Sequence, residues 1–147
     1  MVGFTLLDAG PPRTFVVALG EGDAVTDALV TWARDNEVEA AAVTAFGGFA
    51  TTTLGFFDLA DKDYVRTPVD EQTEVLSLVG DLGRDDDGEL ALHAHVVLGL
   101  RDATTRGGHL LAATVRPTLE VMVTEARTQL RRRYRRDLGL TTLDLDH

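Results

Sequence analysis

Leu90-Ala91-Leu92-His93-Ala94-His95-Val96-Val97-Leu98-Gly99-Leu100 is the longest strand-like run in the chain. Side chains alternate across a strand, so Leu92, Ala94, Val96, Leu98 and Leu100 share one face and His93 and His95 the other. The apolar row is an unbroken core face. The two imidazoles project away from it, at a spacing that lets both reach one ion at roughly 2.0–2.1 Å. Downstream, the loop Asp102 to Gly108 ends in Arg106-Gly107-Gly108, and His109 opens the next strand candidate, His109 to Val115. A tight antiparallel return lays that strand beside the first. Its glycines permit positive φ and close backbone approach, and His109 then completes a facial set of three imidazoles.

The rest of the chain supports a sheet around this pair. Arg13 to Leu19 is β-branched and apolar and reads as a strand, broken by Gly20-Glu21-Gly22. Asp23 is a good N-cap for a helix running to about Asn36. Within it Val25, Ala28, Leu29, Trp32 and Ala33 form one apolar stripe, with Trp32 as a core anchor. Val38 to Phe46 reads as a strand ending in Gly47-Gly48, Thr51 to Phe57 as another, and Asp58 to Asp63 as turns. Tyr64 to Thr67 is short, Glu74 to Gly80 alternates, and Leu119 to Thr124 is the last strand candidate. Asp85-Asp86-Asp87-Gly88 reads as a solvated hairpin tip, since a calcium loop needs spaced ligands and a terminal Glu. The expected fold class is α+β, a largely antiparallel β-sheet with one main packed helix. The 147 residues make a single domain, with a core over about 13–126 and a basic C-terminal segment over 127–147.

Composition excludes several kinds of chemistry. Cysteine is absent, which removes disulfides, zinc ribbons and thiol nucleophiles. No run approaches the ~18 apolar residues of a membrane span, and no basic, then apolar leader opens the chain. A cytoplasmic protein without a targeting segment is the expectation. The net charge of −10 repels phosphate backbones, because nonspecific nucleic-acid affinity comes from cations displacing counterions. The charge is uneven: six of the 14 basic residues lie between Arg127 and Arg136.

Three of the four histidines fall in the His93 to His109 stretch, while His147 is terminal and reads as frayed. One account is three unrelated histidines, each satisfied by hydrogen bonds or solvent. The other is a metal site. Three neutral nitrogens suit zinc best, with other divalent transition metals as alternatives. Structural zinc usually has four protein ligands, so three histidines without cysteine make the open pattern of a catalytic or ligand-binding ion.

Four pieces in order, Leu54-Gly55-Phe56-Phe57-Asp58, Glu74-Val75-Leu76-Ser77-Leu78, Leu92-His93-Ala94-His95-Val96 and Gly107-Gly108-His109-Leu110, resemble the PPC domain family. This is the plants and prokaryotes conserved domain, found in plants in AT-hook nuclear proteins. The resemblance runs from Arg13 to about Asp144. It implies an antiparallel sheet with a packed helix, a homotrimer joined through the sheets, and a metal, usually zinc, on His93, His95 and His109. The domain is also distantly similar to acetolactate decarboxylase, an enzyme with a three-histidine zinc. Two departures weigh against a nuclear, DNA-linked role. The AT-hook core Arg-Gly-Arg-Pro is absent, with only Val115-Arg116-Pro117 near it. Glu71-Gln72-Thr73 also stands where a more apolar or basic lead-in is expected.

Three readings of function follow. The first is a metal-binding domain that binds, senses or acts on a small anionic metabolite. Arg116 is then the candidate for pairing with a ligand carboxylate, and Glu120 or Glu125 for moving protons; the plainer reading of each is an ordinary surface or salt-bridged residue. If this domain is an enzyme, a zinc-dependent lyase or hydrolase-like reaction on a small carboxylate is the expectation. The second reading is a DNA-associated regulator using Arg131, Arg132, Arg133, Arg135 and Arg136. If that run is helical, Leu130, Tyr134 and Leu138 form a stripe that docks on the sheet, and the arginines are its wet face. The third is a trimeric protein-interaction module, which leaves the histidines unexplained. No membrane partner is expected.

Overall fold

The computed structural model describes residues 2–145, and strands make up most of them. His147 lies outside the described residues. In chain order the elements are β1 (Gly3–Asp8), β2 (Thr14–Gly20), α1 (Val25–Asp35), β3 (Ala41–Asp58), β4 (Asp63–Val69), β5 (Thr73–Arg84), β6 (Leu90–Gly99), β7 (Thr105–Glu125), β8 (Arg132–Arg135) and β9 (Leu140–Leu143). The first seven strands form one antiparallel sheet in the order β1-β2-β7-β6-β5-β3-β4. β7 also pairs with β3, so the path β3-β5-β6-β7 closes on itself. β8 and β9 form a separate two-stranded sheet.

This architecture corrects the expected class. It is a mostly-β fold, not an α+β fold with a main packed helix: α1 has 11 residues, whereas β3 has 18 and β7 has 21. Two strands each run through signals that read as ends. Gly47-Gly48 does not stop β3. A Cβ on Gly47 would lie 2.2 Å from the Thr118 carbonyl oxygen, and one on Gly48 would lie 2.3 Å from that of Arg116. The two glycines let β3 pass close over β7 at a pair of register shifts. Pro117, which cannot donate to a ladder, sits in the same irregular stretch of β7, where a missing N–H breaks no regular pairing.

The helix carries its expected stripe inward. Val25, Leu29, Trp32 and Ala33 are buried, and the Trp32 ring meets that of Phe15 edge-on at 5.2 Å. Its start differs from the sequence reading. The N-cap is Ala24, without a side-chain hydrogen bond. Asp23 instead accepts from the Gly20 N–H at 2.9 Å. Backbone bonds from Gly22 N–H to Val115 O and from Val115 N–H to Asp23 O, both 3.0 Å, tie this turn to β7. The helix is therefore positioned by the sheet.

The core joins α1 to the inner faces of the strands, with Phe49, Leu19, Leu78, Leu82, Leu98 and Leu119 among its fully buried side chains. On β6, Ala94, Val96 and Leu98 are buried and His95 is exposed. The 131–136 run is not helical. It enters a hairpin whose turn uses Gly139 at φ 78° and is closed by Gly139 N–H to Arg135 O at 2.7 Å; Tyr134 is exposed rather than docked. No helix among the described residues is long and apolar enough to cross a membrane.

Candidate metal centre

Register assembles the histidines. His95 on β6 is the direct partner of His109 on β7, and His93 lies two residues along β6 on the same face. Their ring centroids are 5.4 Å apart for His93 and His95, 5.0 Å for His93 and His109, and 5.3 Å for His95 and His109. One ring nitrogen from each lies within 4.8 Å of the other two. Ring nitrogens grouped this closely could hold one metal ion. His93 and His109 are half-buried, and His95 is exposed.

The surroundings of His93 and His109 favour the neutral ring, the form that binds a metal. Burial, reinforced by the charges of His93, His95 and Arg132, pushes His109 down to about 4. Burial also lowers His93, with Arg132 adding to the effect and Asp81 opposing it. Tyr64 packs its ring on His109 at 4.9 Å and on Phe57 at 5.1 Å. It reaches there because Gly55, the β3 partner of His109, has no side chain: a Cβ would lie 2.7 Å from the Tyr64 ring.

Two polar residues join this group that the sequence did not tie to the histidines: Asp81, and Arg132, which it offered only as a nucleic-acid contact. Asp81 on β5 is the direct partner of His93. Arg132 on β8 donates through Nη2 to Asp81 Oδ2 at 2.7 Å and lies 3.1 Å from His93 Nδ1. Asp81 directly follows the strand read as Glu74 to Gly80, but only its register marks it as facing His93. Arg132 comes from a return of the chain that no local pattern encodes.

The other candidates lie elsewhere. Arg116 is seven residues along β7 from His109, roughly 20 Å at strand rise, and pairs with Glu21 at 3.4 Å on an exposed surface. Glu120, farther along β7, is exposed opposite Ala18 and Phe46. Glu125, at the end of β7, is bound by Arg13, with Nε at 2.7 Å from Oε2 and Nη2 at 2.5 Å from Oε1. In the basic run, Arg133 pairs with Asp144 at 2.8 Å and Arg135 with Asp137 at 2.9 Å. Arg131 bonds Gln129 at 3.1 Å, and the Arg136 carbonyl accepts from Lys62 Nζ at 3.1 Å.

The model of the Plants and Prokaryotes Conserved (PCC) domain matches residues 8–127. Among solved structures, a candidate DNA-binding protein from Ralstonia eutropha is 25% identical, with a TM-score of 0.86 over 97% of this chain and 95% of that one. A metal-containing protein from Archaeoglobus fulgidus is 26% identical, with a TM-score of 0.83 over 97% of each chain. An α-acetolactate decarboxylase from Bacillus subtilis shares the fold at 15% identity, with a TM-score of 0.56 over 90% of this chain and 60% of that one. No curated protein matches this sequence.

Proposed function

The chain belongs to the Plants and Prokaryotes Conserved domain family, and on that premise we propose that it holds one divalent transition metal, zinc by preference, on His93, His95 and His109 and offers the open position to a small anionic metabolite. The observation that carries this reading is the in-register grouping of three imidazoles whose ligand atoms lie within 4.8 Å of one another. The metal-containing relative from Archaeoglobus fulgidus supports it. So does the donor set: three nitrogens and no cysteine suit an ion with a free coordination position.

When bound, such a metal supplies a Lewis acid for a carbonyl or carboxylate oxygen. The chain's own residues hold and orient. The β6–β7 register fixes His95 against His109, Tyr64 and Phe57 limit the swing of the His109 ring, and Asp81 stands beside His93. Whether the domain catalyses, senses or only binds then depends on the anion it accepts, and a small carboxylate suits a zinc-dependent lyase or hydrolase-like reaction best.

Metal analysis of purified protein tests the reading. Wild type should retain about one equivalent per chain, and His93→Ala should lose most of it. A wild-type protein that takes up no zinc, cobalt or nickel would end this reading.

A second reading, a DNA-associated regulator, is favoured by the arginine run and by the Ralstonia eutropha relative. It predicts double-stranded DNA binding that falls steeply with salt. Carboxylate partners on Arg132, Arg133 and Arg135 and the net charge of −10 oppose it. The expected result is no measurable binding at about 0.15 M salt, and specific retention of a duplex there would reverse the order of the two readings.

A further inference from the structure

The C-terminal hairpin lies outside the matched family segment, which ends at residue 127, yet it supplies a side chain to the histidine cluster. Among the described residues, few bonds hold the hairpin to the domain. Arg84 N–H donates to Leu130 O at 2.7 Å beside an Arg84–Arg131 bridge, and Lys62 Nζ donates to Arg136 O at 3.1 Å. Most residues from 131 to 143 are exposed. A segment with so few buried contacts opens far more easily than the sheet beneath it.

Arg132 is one of the hairpin's less exposed residues. Its side chain is only 12% exposed, and its Nη2 faces both Asp81 Oδ2 and His93 Nδ1. A guanidinium only donates, so His93 Nδ1 must accept, and the proton of the neutral ring then sits on Nε2. Both nitrogens of His93 are occupied, one by Arg132 and one by hydrogen. A metal needs a ring nitrogen with a free lone pair. The opposite tautomer, with Nδ1–H donated to a carboxylate, is the one that prepares a histidine for ligation. Asp81 is the carboxylate in register to receive that proton. Arg132 holds one of its oxygens, while Asp81 Oδ1 and Arg132 Nε are buried without hydrogen bonds. These two unpaired atoms lower the net stability of the docked contact.

We propose that the C-terminal hairpin is a latch on the histidine site: Arg132, when docked, withholds His93 from a metal, and metal loading requires Arg132 to withdraw so that Asp81 can accept from His93 Nδ1–H. The proposal rests on the metal reading above. Linkage makes it reciprocal: whatever frees Arg132 tightens metal binding, and a bound metal loosens the hairpin by the same factor. The guanidinium charge acts in the same direction, because a cation beside the cluster repels a second one.

Two measurements on the full chain test it. Zinc affinity is read by competition against a chromophoric chelator for wild type, Arg132→Met and Asp81→Asn/Arg132→Met, with folding checked by circular dichroism. Arg132→Met should bind zinc roughly tenfold tighter than wild type, and the double variant should lose much of that gain. The second measurement needs no variant. Trypsin cleavage within 131–136 of wild type should accelerate when zinc is added, at a zinc level that leaves cleavage of an unstructured control peptide unchanged. Zinc binding in folded Arg132→Met that is equal to or weaker than wild type overturns the latch and leaves the metal reading standing. Cleavage that slows or stays constant with zinc also overturns it. No zinc binding by either protein removes the metal reading, and the latch with it.

Discussion

Gly80 shows how little room the site's backbone has. It lies on β5 opposite Ala94, beside Asp81. A Cβ there would sit 2.1 Å from the His93 carbonyl oxygen and 2.8 Å from Ala94 Cα. Neither neighbour is a flexible side-chain tip, so the strands would have to part at the residue that presents His93. Gly80→Ala is expected to cost about 2 kcal/mol or more, seen as a lower denaturant midpoint with an unchanged slope, and to weaken zinc binding as His93 shifts. A variant as stable as wild type would show that β5 and β6 can give way here. Sequence alone made Gly80 the end of a strand, because a glycine looks the same whether it stops a ladder or permits one. The shared face of His93 and His95 is legible from alternation, a property of one strand. Asp81, Tyr64 and Arg132 are not, because each reaches the histidines through register or through a distant return of the chain.

At the scale of elements, the helix and most strand positions were readable from periodicity, and the joins were not. Val38 to Phe46 with Thr51 to Phe57, and His109 to Val115 with Leu119 to Thr124, are each one strand in the fold, β3 and β7. Bulges also flip the alternation: on β5, Val75 and Leu78 are both buried because the register shifts between Val75 and Ser77. β1 was missed altogether, since all six of its residues are exposed and it has no buried face to pattern. One join is electrostatic. Arg13, just before β2, grips Glu125 at the end of β7 and donates to Asn36 O at the helix C-cap at 3.2 Å. The Arg13 hydrogen bonds hold Glu125 below its ordinary value of 4.5. A carboxylate with a depressed folded value contributes stability that is fully present above 4.5 and disappears as pH falls through the folded value. Glu125→Gln should therefore lose about 1–2 kcal/mol at pH 7, a figure kept low because Arg13 is one-third exposed. The gap between variant and wild type should close in acid, below pH 4.5. A gap that stays constant from pH 7 to pH 3 would assign the loss to packing and not to charge.

For the whole molecule, the most informative surface is the sheet face that bears the histidines. Register carries one row across it, from Met122 through Thr44 and Val79 to His95. Val79 is 52% exposed, and Phe46, Val97 and Met122 are exposed on the same face. A run of apolar side chains in water beside a ligand site is expensive unless another surface covers it. We propose that the cover is two further copies of this chain, giving a homotrimer joined through these faces. The mass in solution, by light scattering or sedimentation, should then be three times the 15.9 kDa of the chain. Phe46→Lys is the discriminating variant. Phe46 is 59% exposed and pairs with Glu120, so a lysine there finds a carboxylate within the subunit and should leave the isolated fold stable. In a subunit interface it would bury an ammonium and shift the protein to monomer. Phe46 also lies in the row beyond Thr44, away from His95, so the variant isolates assembly from ligation. If monomeric Phe46→Lys keeps its zinc, one chain builds the site; if the zinc leaves with the partners, neighbouring subunits complete it. A wild-type mass of one chain at micromolar concentration would refute the trimer, and the exposed apolar row would then need an occupant other than this protein itself.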